Sequence, residues 1–234
     1  MTDPRRGGEI VEHFRELGVD AFTTGRTAGS FGMQSDEPVR DVMARWRVLR
    51  SSLASVHRLA TAVQVHGAEV LTHAGDWRGW LRTDSADGHL SSAPATAMAV
   101  TVADCVPVFI AHRSGVGGVL HSGWRGTAAR ITSVALARFS SMGFSAHDLL
   151  VHCGPAICGR CYEVSADVAA QLTGRDPGAP TRVDLRAIIA GQAREHGVRE
   201  ISLSPLCTKC DNDRFFSHRA GDAGRQLGVL ATRV

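Results

Sequence analysis

TVADCVPVFIAHRSGVGGVLHSGWR, residues 101–125, carries two nearly continuous apolar runs; Cys105 stands before the first and His121 at the end of the second. Short β-branched runs without polar alternation mark strands buried on both faces. Strands are therefore expected over 106–112 and 117–121, with AMAVTV (97–102) forming another just before them. Pro107 cannot donate to a ladder, so the backbone should be irregular at Cys105. The strand pattern requires neither Cys105 nor His121. The pair reads as a nucleophile with its base, as part of a metal site, or as a buried thiol beside a loop histidine, with the acidic Asp104 adjoining.

Working outward, GTAARITSVALARFSSM (126–142) has helical spacing at Ile131, Val134, Ala135 and Phe139, and Gly143 is its stop. Gly123 to Gly126 would then stand at a helix entrance, where backbone amides with Arg125 and Arg130 nearby suit a phosphate. Downstream, LLVHC (149–153) is a strand, and Ser165 and Asp184 cap helices running to Leu172 and to Gly197. Strands follow at Ile201–Leu203 and in the tail RQLGVLATRV (225–234). Upstream, Val19, Ala21 and Phe22 make a short strand leading into a glycine-rich loop, a surface connection or an anion seat for backbone amides and Arg26. Apolar residues at Val39, Val42, Met43, Trp46, Leu49 and Leu53 predict an amphipathic helix over 38–54 capped by Asp36. LATAVQVH (59–66) alternates as a strand ending in Gln64 and His66, and AEVLTHA (68–74) resumes after Gly67. DWRGWLRTDSADGHL (76–90) reads as a polar loop, with Asp87 and Gly88 marking a turn before the central run. Helices and strands alternate irregularly without repeat or linker, which predicts one α+β domain over residues 1–234.

With 234 residues, 44% hydrophobic and 21% charged, the chain has globular composition and can bury a sizeable core. Its net charge is only +3 and its arginines are scattered, so no nucleic-acid footprint is expected. No apolar stretch resembles a secretory signal or a bilayer span, and a cytoplasmic location without membrane partners is expected.

Cys105, His121 and a third histidine would give zinc three protein ligands and leave a position for water, the arrangement of a catalytic site. His66 is the best third candidate, because it too ends an expected strand and precedes glycine. Cys158-x-x-Cys161 and Cys207-x-x-Cys210 have the spacing of a structural zinc site. Nothing in the sequence brings those segments together, so four reduced thiols in loops are expected. Copper oxidases often use His-x-His segments, and no two of the 11 histidines are separated by a single residue. A cysteine hydrolase with Cys105 as nucleophile and His121 as base competes for the same residues.

Together, QVHGAEV (64–70), ADGHL (86–90), TVADCVPV (101–108), GVLHSGWRGT (118–127), GPAICGRCYEV (154–164) and CTKCDNDRFFSHR (207–219) resemble the YfiH-like laccase-domain family over essentially the whole chain. That family is also named polyphenol oxidase or peptidoglycan editing factor, and its members are described as purine nucleoside phosphorylases. The resemblance implies a single CNF1/YfiH-like α+β domain of layered mixed sheets flanked by helices. It implies zinc held by His66, Cys105 and His121, and phosphorolysis of adenosine, inosine, guanosine or methylthioadenosine with an accompanying adenosine deaminase activity. Cys105, His121, Asp104 and Arg125 are then the expected catalytic residues, and Arg26, Gln64, Gly123 and Arg125 the expected contacts to nucleoside and phosphate. The chain is expected to act as a monomer. A Cys105 hydrolase or editing factor is the alternative, and a copper-dependent polyphenol oxidase fits less well. Two departures bear on substrate preference. TTGRTAG (23–29) stands where the family has a TTRHGG-like loop, and Ala44 stands near a usual asparagine.

Overall fold

The computed structural model describes residues 3–34, 37–53 and 55–232. Two six-stranded sheets form its body. The first runs β1 (Glu9–Ile10), β2 (Val19–Thr23), β14 (Gln226–Thr232), β7 (Thr96–Val102), β3 (Arg58–Ala62) and β5 (Gly79–Thr83). The second runs β13 (Glu200–Leu203), β10 (Leu149–Cys153), β8 (Val106–His112), β9 (Gly117–Ser122), β6 (Gly88–Ser91) and β4 (Val70–His73). A small antiparallel pair, β11 (Glu163–Val164) with β12 (Thr181–Arg182), lies apart from both. The helices are α1 (Glu12–Arg15), α2 (Val39–Ser52), α3 (Trp124–Ala128), α4 (Ile131–Ser141), α5 (Ala166–Thr173) and α6 (Leu185–Glu195).

The side-chain alternation of each strand explains the layering. On β7, Met98, Val100 and Val102 enter a cluster with Phe109, Ala111, Val119 and Leu150 of the second sheet. Ala97 and Ala99, pointing the other way, pack with Val42, Trp46 and Leu49 of α2. On β8, Val106, Val108 and Ile110 face α4 and α6, meeting Ile131, Phe139 and Ile189. Both sheets are thus covered on both faces, which is why the central strands read as unbroken apolar runs. Among the described residues, no helix is long and apolar enough to cross a membrane.

Three expectations change. The segment over 76–90 contains two strands: β5 is a half-exposed edge, and β6 is buried although it carries His89 and Ser91. Those two polar residues are satisfied internally, with His73 Nε2 3.0 Å from His89 Nδ1 and Ser91 Oγ donating to the His73 carbonyl. The helix expected over 126–142 is two helices, broken at Arg130, which is left-handed with φ 59°. There the Thr127 carbonyl accepts from the side chain of Gln192 on α6, and Thr127 Oγ1 bonds Ser122. The strand expected to end at His66 stops at Ala62. Asp36, the expected cap of α2, lies outside the described residues.

β3, β5 and β7 belong to the first sheet, and the strands that follow them, β4, β6 and β8, to the second. The chain therefore passes from the first sheet to the second three times, over 63–69, 84–87 and 103–105. Each crossing contains a left-handed non-glycine residue: His66 (φ 60°), Ser85 (φ 52°) and Asp104 (φ 80°). Such conformations cost roughly 1–2 kcal/mol each and persist where the surroundings hold them.

Candidate metal centre and pocket

The crossings deliver the chemistry. The first carries His66, the second Asp87 and the third Cys105, while His121 comes from β9, opposite Pro107 of β8. Ligand atoms of His66, Cys105 and His121 lie within 4.8 Å of one another. An ion bonded to each at roughly 2.0–2.3 Å would need only small side-chain shifts. The rings of His66 and His121 meet edge-on with centroids 4.7 Å apart.

Asp87 organises the group. Its fully buried carboxylate accepts from the amides of Val65, His66 and Gly67 at 3.2, 3.0 and 2.8 Å, and lies 2.7 Å from His121 Nδ1. These bonds turn residues 65–67 out of the β3 ladder. The Asp87 contact places the His121 proton on Nδ1 and leaves Nε2 to act as a ligand. Burial raises the Asp87 pKa, but the His121 hydrogen bond and the backbone amides hold it below the ordinary carboxylate value.

Cys105 and His121 polarise each other. Burial works against the Cys105 thiolate, yet the His121 charge and hydrogen bonds from His121 and His66 bring the thiol down to about 6. Burial likewise lowers His121, and the Cys105 charge with the Asp87 hydrogen bond outweighs it, taking the imidazole to about 9. The thiolate is the form that binds metal or attacks as a nucleophile.

Gly123 closes over this group. A Cβ there would come 2.8 Å from Cys105 Sγ and 3.5 Å from His66 Cδ2. Gly123→Ala should therefore displace the Cys105 sulfur and weaken metal retention at the triad by about tenfold or more, the scale of losses when a ligand's support is disturbed. Metal titration against a competing chelator measures this, and wild-type affinity would contradict it.

His66, Cys105 and His121 line a cavity of about 380 Å³, within the usual range of small-molecule sites. Its walls combine Phe31, Met33 and Trp46 with Thr61, Gln64 and Thr101. Gln64 is a strut as well as a wall: its Oε1 accepts from the Thr101 amide and hydroxyl, and its Nε2 donates to the Thr101 carbonyl. Arg82, Arg225 and His218 also line it.

The remaining expected residues are placed elsewhere. Arg26 does not line this cavity. Its Nε donates to the Asn212 carbonyl, its Nη2 to the Phe215 carbonyl and Asp222, and its guanidinium covers the Phe216 ring. Arg26 ties the 23–29 loop to the 212–222 loop, and the arginines at the cavity are Arg82 and Arg225. Asp104 accepts from Thr208 Oγ1 at 2.6 Å and from the Arg219 amide at 2.7 Å, so it braces the turn before Cys105. Arg125 is exposed and stacked on Trp124, 4.3 Å from the ring centroid, in a helix of only five residues.

The Arg26 anchor has a pH signature. Burial raises Asp222, but Arg26, the Ser217 amide and Asn212 pull it down to about 2. Its folded pKa is depressed, so the stabilisation is present above the ordinary carboxylate value near 3.8 and is lost as pH falls towards 2. Asp222→Asn should flatten this acid limb of the stability–pH profile; an unchanged slope in acid-unfolding curves would contradict the assignment.

Asp87 is the residue that sequence reasoning treated as a turn marker. Its local cue was DG, which marks turns in general, and nothing in spacing revealed that its carboxylate reaches residues 65–67.

A family model described as multi-copper polyphenol oxidoreductase laccase matches residues 14–233. A Mycobacterium tuberculosis protein named purine nucleoside phosphorylase is 33% identical over 238 residues, covering 98% of this chain and 90% of its own length. A Deinococcus radiodurans protein with the same name is 33% identical over 236 residues, covering 90% of this chain and 87% of its own. Among solved structures, YlmD from Geobacillus stearothermophilus matches with a TM-score of 0.86 and 27% identity over 93% of each chain. Bacillus licheniformis YfiH matches with a TM-score of 0.87 and 23% identity, over 99% of this chain and 97% of that one, a likeness of fold.

Proposed function

This chain belongs to the multi-copper polyphenol oxidoreductase laccase family, and from that membership we propose that it is a zinc-dependent purine nucleoside phosphorylase. The observation that carries the reading is the coincidence of a histidine–cysteine–histidine triad with a nucleoside-sized cavity, in a chain one-third identical to proteins named for that activity. Adenosine, inosine, guanosine and methylthioadenosine are the proposed substrates, and hydrolytic deamination of adenosine is proposed as a second activity of the same cavity.

Two imidazoles and a thiolate suit zinc and leave a coordination position for a substrate or water. Zinc held by His66, Cys105 and His121 would supply Lewis acidity to the reacting group. The protein's own residues do the rest. Phe31 and Trp46, almost wholly buried, back the cavity with apolar packing, and the half-buried Met33 gives it accessible apolar surface. Arg82 and Arg225 offer positive charge to a phosphate, the part first expected of Arg26 and Arg125, and His218 adds a polar ring edge. Asp87 fixes the tautomer of His121, and Gln64 with Thr101 stiffens the wall beside the triad. A multicopper oxidase must hold several copper ions; among the described residues, only one of the two potential metal-binding groups contains histidine.

Purified protein given phosphate and inosine should release hypoxanthine and ribose 1-phosphate, and no turnover of any purine nucleoside by the metal-loaded protein would overturn the proposal. A second reading rests on the Cys105–His121 ion pair, which is also the resting state of a cysteine hydrolase. Alkylation separates the two. A metal-bound Cys105 resists an electrophile until the metal is stripped, whereas a nucleophilic Cys105 is trapped in the presence of metal.

A further inference from the structure

Cys158, Cys161, Cys207 and Cys210, expected as four separate loop thiols, come together: their sulfur atoms all lie within 4.8 Å of one another. We propose that they form a second, closed zinc site that clamps the 154–163 segment to the 204–211 segment. The proposal is independent of the phosphorylase reading, because none of these cysteines lines the cavity.

The backbone builds two matching turns. Cys161 and Tyr162 amides donate to the Cys158 carbonyl at 2.9 and 3.0 Å. In the other turn, the Cys207 amide donates to Asp211 Oδ2 and the Asp211 amide to the Cys207 carbonyl, both at 2.8 Å. A parallel bridge between Ala156 and Cys207 sets the turns side by side, and the Thr208 amide donates to the Ala156 carbonyl at 3.2 Å.

Zinc bonded to sulfur at about 2.3 Å in a tetrahedron separates its sulfurs by about 3.8 Å. Cys161 and Cys210 sulfurs are 3.5 Å apart, and the 4.8 Å bound holds for all four. The Cys158 and Cys210 amides donate to Cys207 Sγ at 3.3 and 3.4 Å. Four sulfurs this close enclose a single ion, leaving no room for an iron–sulfur cluster, and a tetrahedral thiolate site binds zinc more tightly than ferrous iron. With four protein ligands the site has no open position, so its role is structural.

The clamp also bears on the pocket triad. The Ile157 amide donates to the Asp104 carbonyl at 3.1 Å, and Thr208 Oγ1 donates to the Asp104 carboxylate. Both clamped segments thereby hold the left-handed residue that precedes Cys105. Loss of this zinc should loosen the third sheet crossing and lower the melting temperature.

The test uses the full chain carrying His66→Ala with His121→Ala, which dismantles the pocket triad and leaves every thiolate of the clamp. Elemental analysis should find about one zinc per chain, as one tetrahedral site requires. Cobalt(II) exchanged into the same variant should give the intense visible bands of a four-thiolate tetrahedral centre, a readout that needs no cysteine to be mutated. Adding Cys158→Ser or Cys210→Ser should remove both signals. A metal-free triad variant, iron in place of zinc, or thiol titration showing disulfides among these cysteines in freshly purified protein would overturn the proposal.

Discussion

Replacing Cys105 by alanine is expected to abolish the proposed phosphorolysis and to prevent the pocket triad from holding a metal. Cys105 supplies its only sulfur, and it does so as a thiolate that His121 and His66 stabilise. Without it, two imidazoles remain, and their hold on a metal ion falls by more than the 10–100-fold typical when a residue supporting a ligand is lost. kcat/KM should therefore fall by about a thousandfold or more, beyond that range. Cys105→Ser should be almost as severe, since a neutral hydroxyl replaces a soft anionic donor. Steady-state phosphorolysis with metal analysis on the same samples tests this. Retained activity in Cys105→Ala would remove the cysteine from the reaction under both the metal and the nucleophile readings.

Asp87→Ala should produce the largest loss of stability together with a loss of metal. The substitution strips the acceptor from three backbone amides and from His121, and the His121 positive charge loses its buried partner. Removing one member of a buried charged pair typically costs about 3–5 kcal/mol. Metal affinity should fall about 10–100-fold as the His121 ring is freed to change tautomer. Denaturant unfolding of metal-free protein isolates the first effect, and competitive metal titration the second. Asp87→Asn should fall between wild type and alanine, because its carbonyl oxygen still accepts while its NH2 faces the amide donors. A metal-free Asp87→Ala protein with the wild-type unfolding midpoint would contradict the central place given to this carboxylate.

What the sequence disclosed follows from how far each signal reaches. The central strands were legible because burial on both faces removes polar residues, and periodicity is a local property. β5 and β6 escaped notice for the opposite reason: an edge strand tolerates Arg82, and β6 buries polar residues that find partners inside the fold. At the break before Arg130 the Thr127 carbonyl accepts from Gln192 of a distant helix, a partner that no local window of sequence contains. Cys105 and His121 stand beside strand ends that the apolar runs mark, whereas His66 lies four residues past the true end of β3 and is singled out by the family resemblance. Asp87, which holds two of them, looked like a turn. Arg26 looked free to meet an anion because its partners lie nearly two hundred residues away. The two cysteine pairs have the spacing of a zinc site, but the contacts that make them neighbours, the Ala156–Cys207 bridge and the Cys158 amide on Cys207 Sγ, join segments about fifty residues apart.

The position of β14 has a consequence for biosynthesis. β14, which leaves the ribosome after every other strand of the first sheet, lies inside that sheet, paired with β2 on one side and β7 on the other. Until residue 232 has emerged, β1 and β2 have no continuous connection to β7, β3 and β5. The nascent chain must carry the apolar edges of both halves exposed during translation, a state open to aggregation and to chaperone binding. Formation of this sheet is therefore a late, long-range event, and a ribosome stalled a few codons before the end of β14 would hold two half-sheets in place of a folded protein.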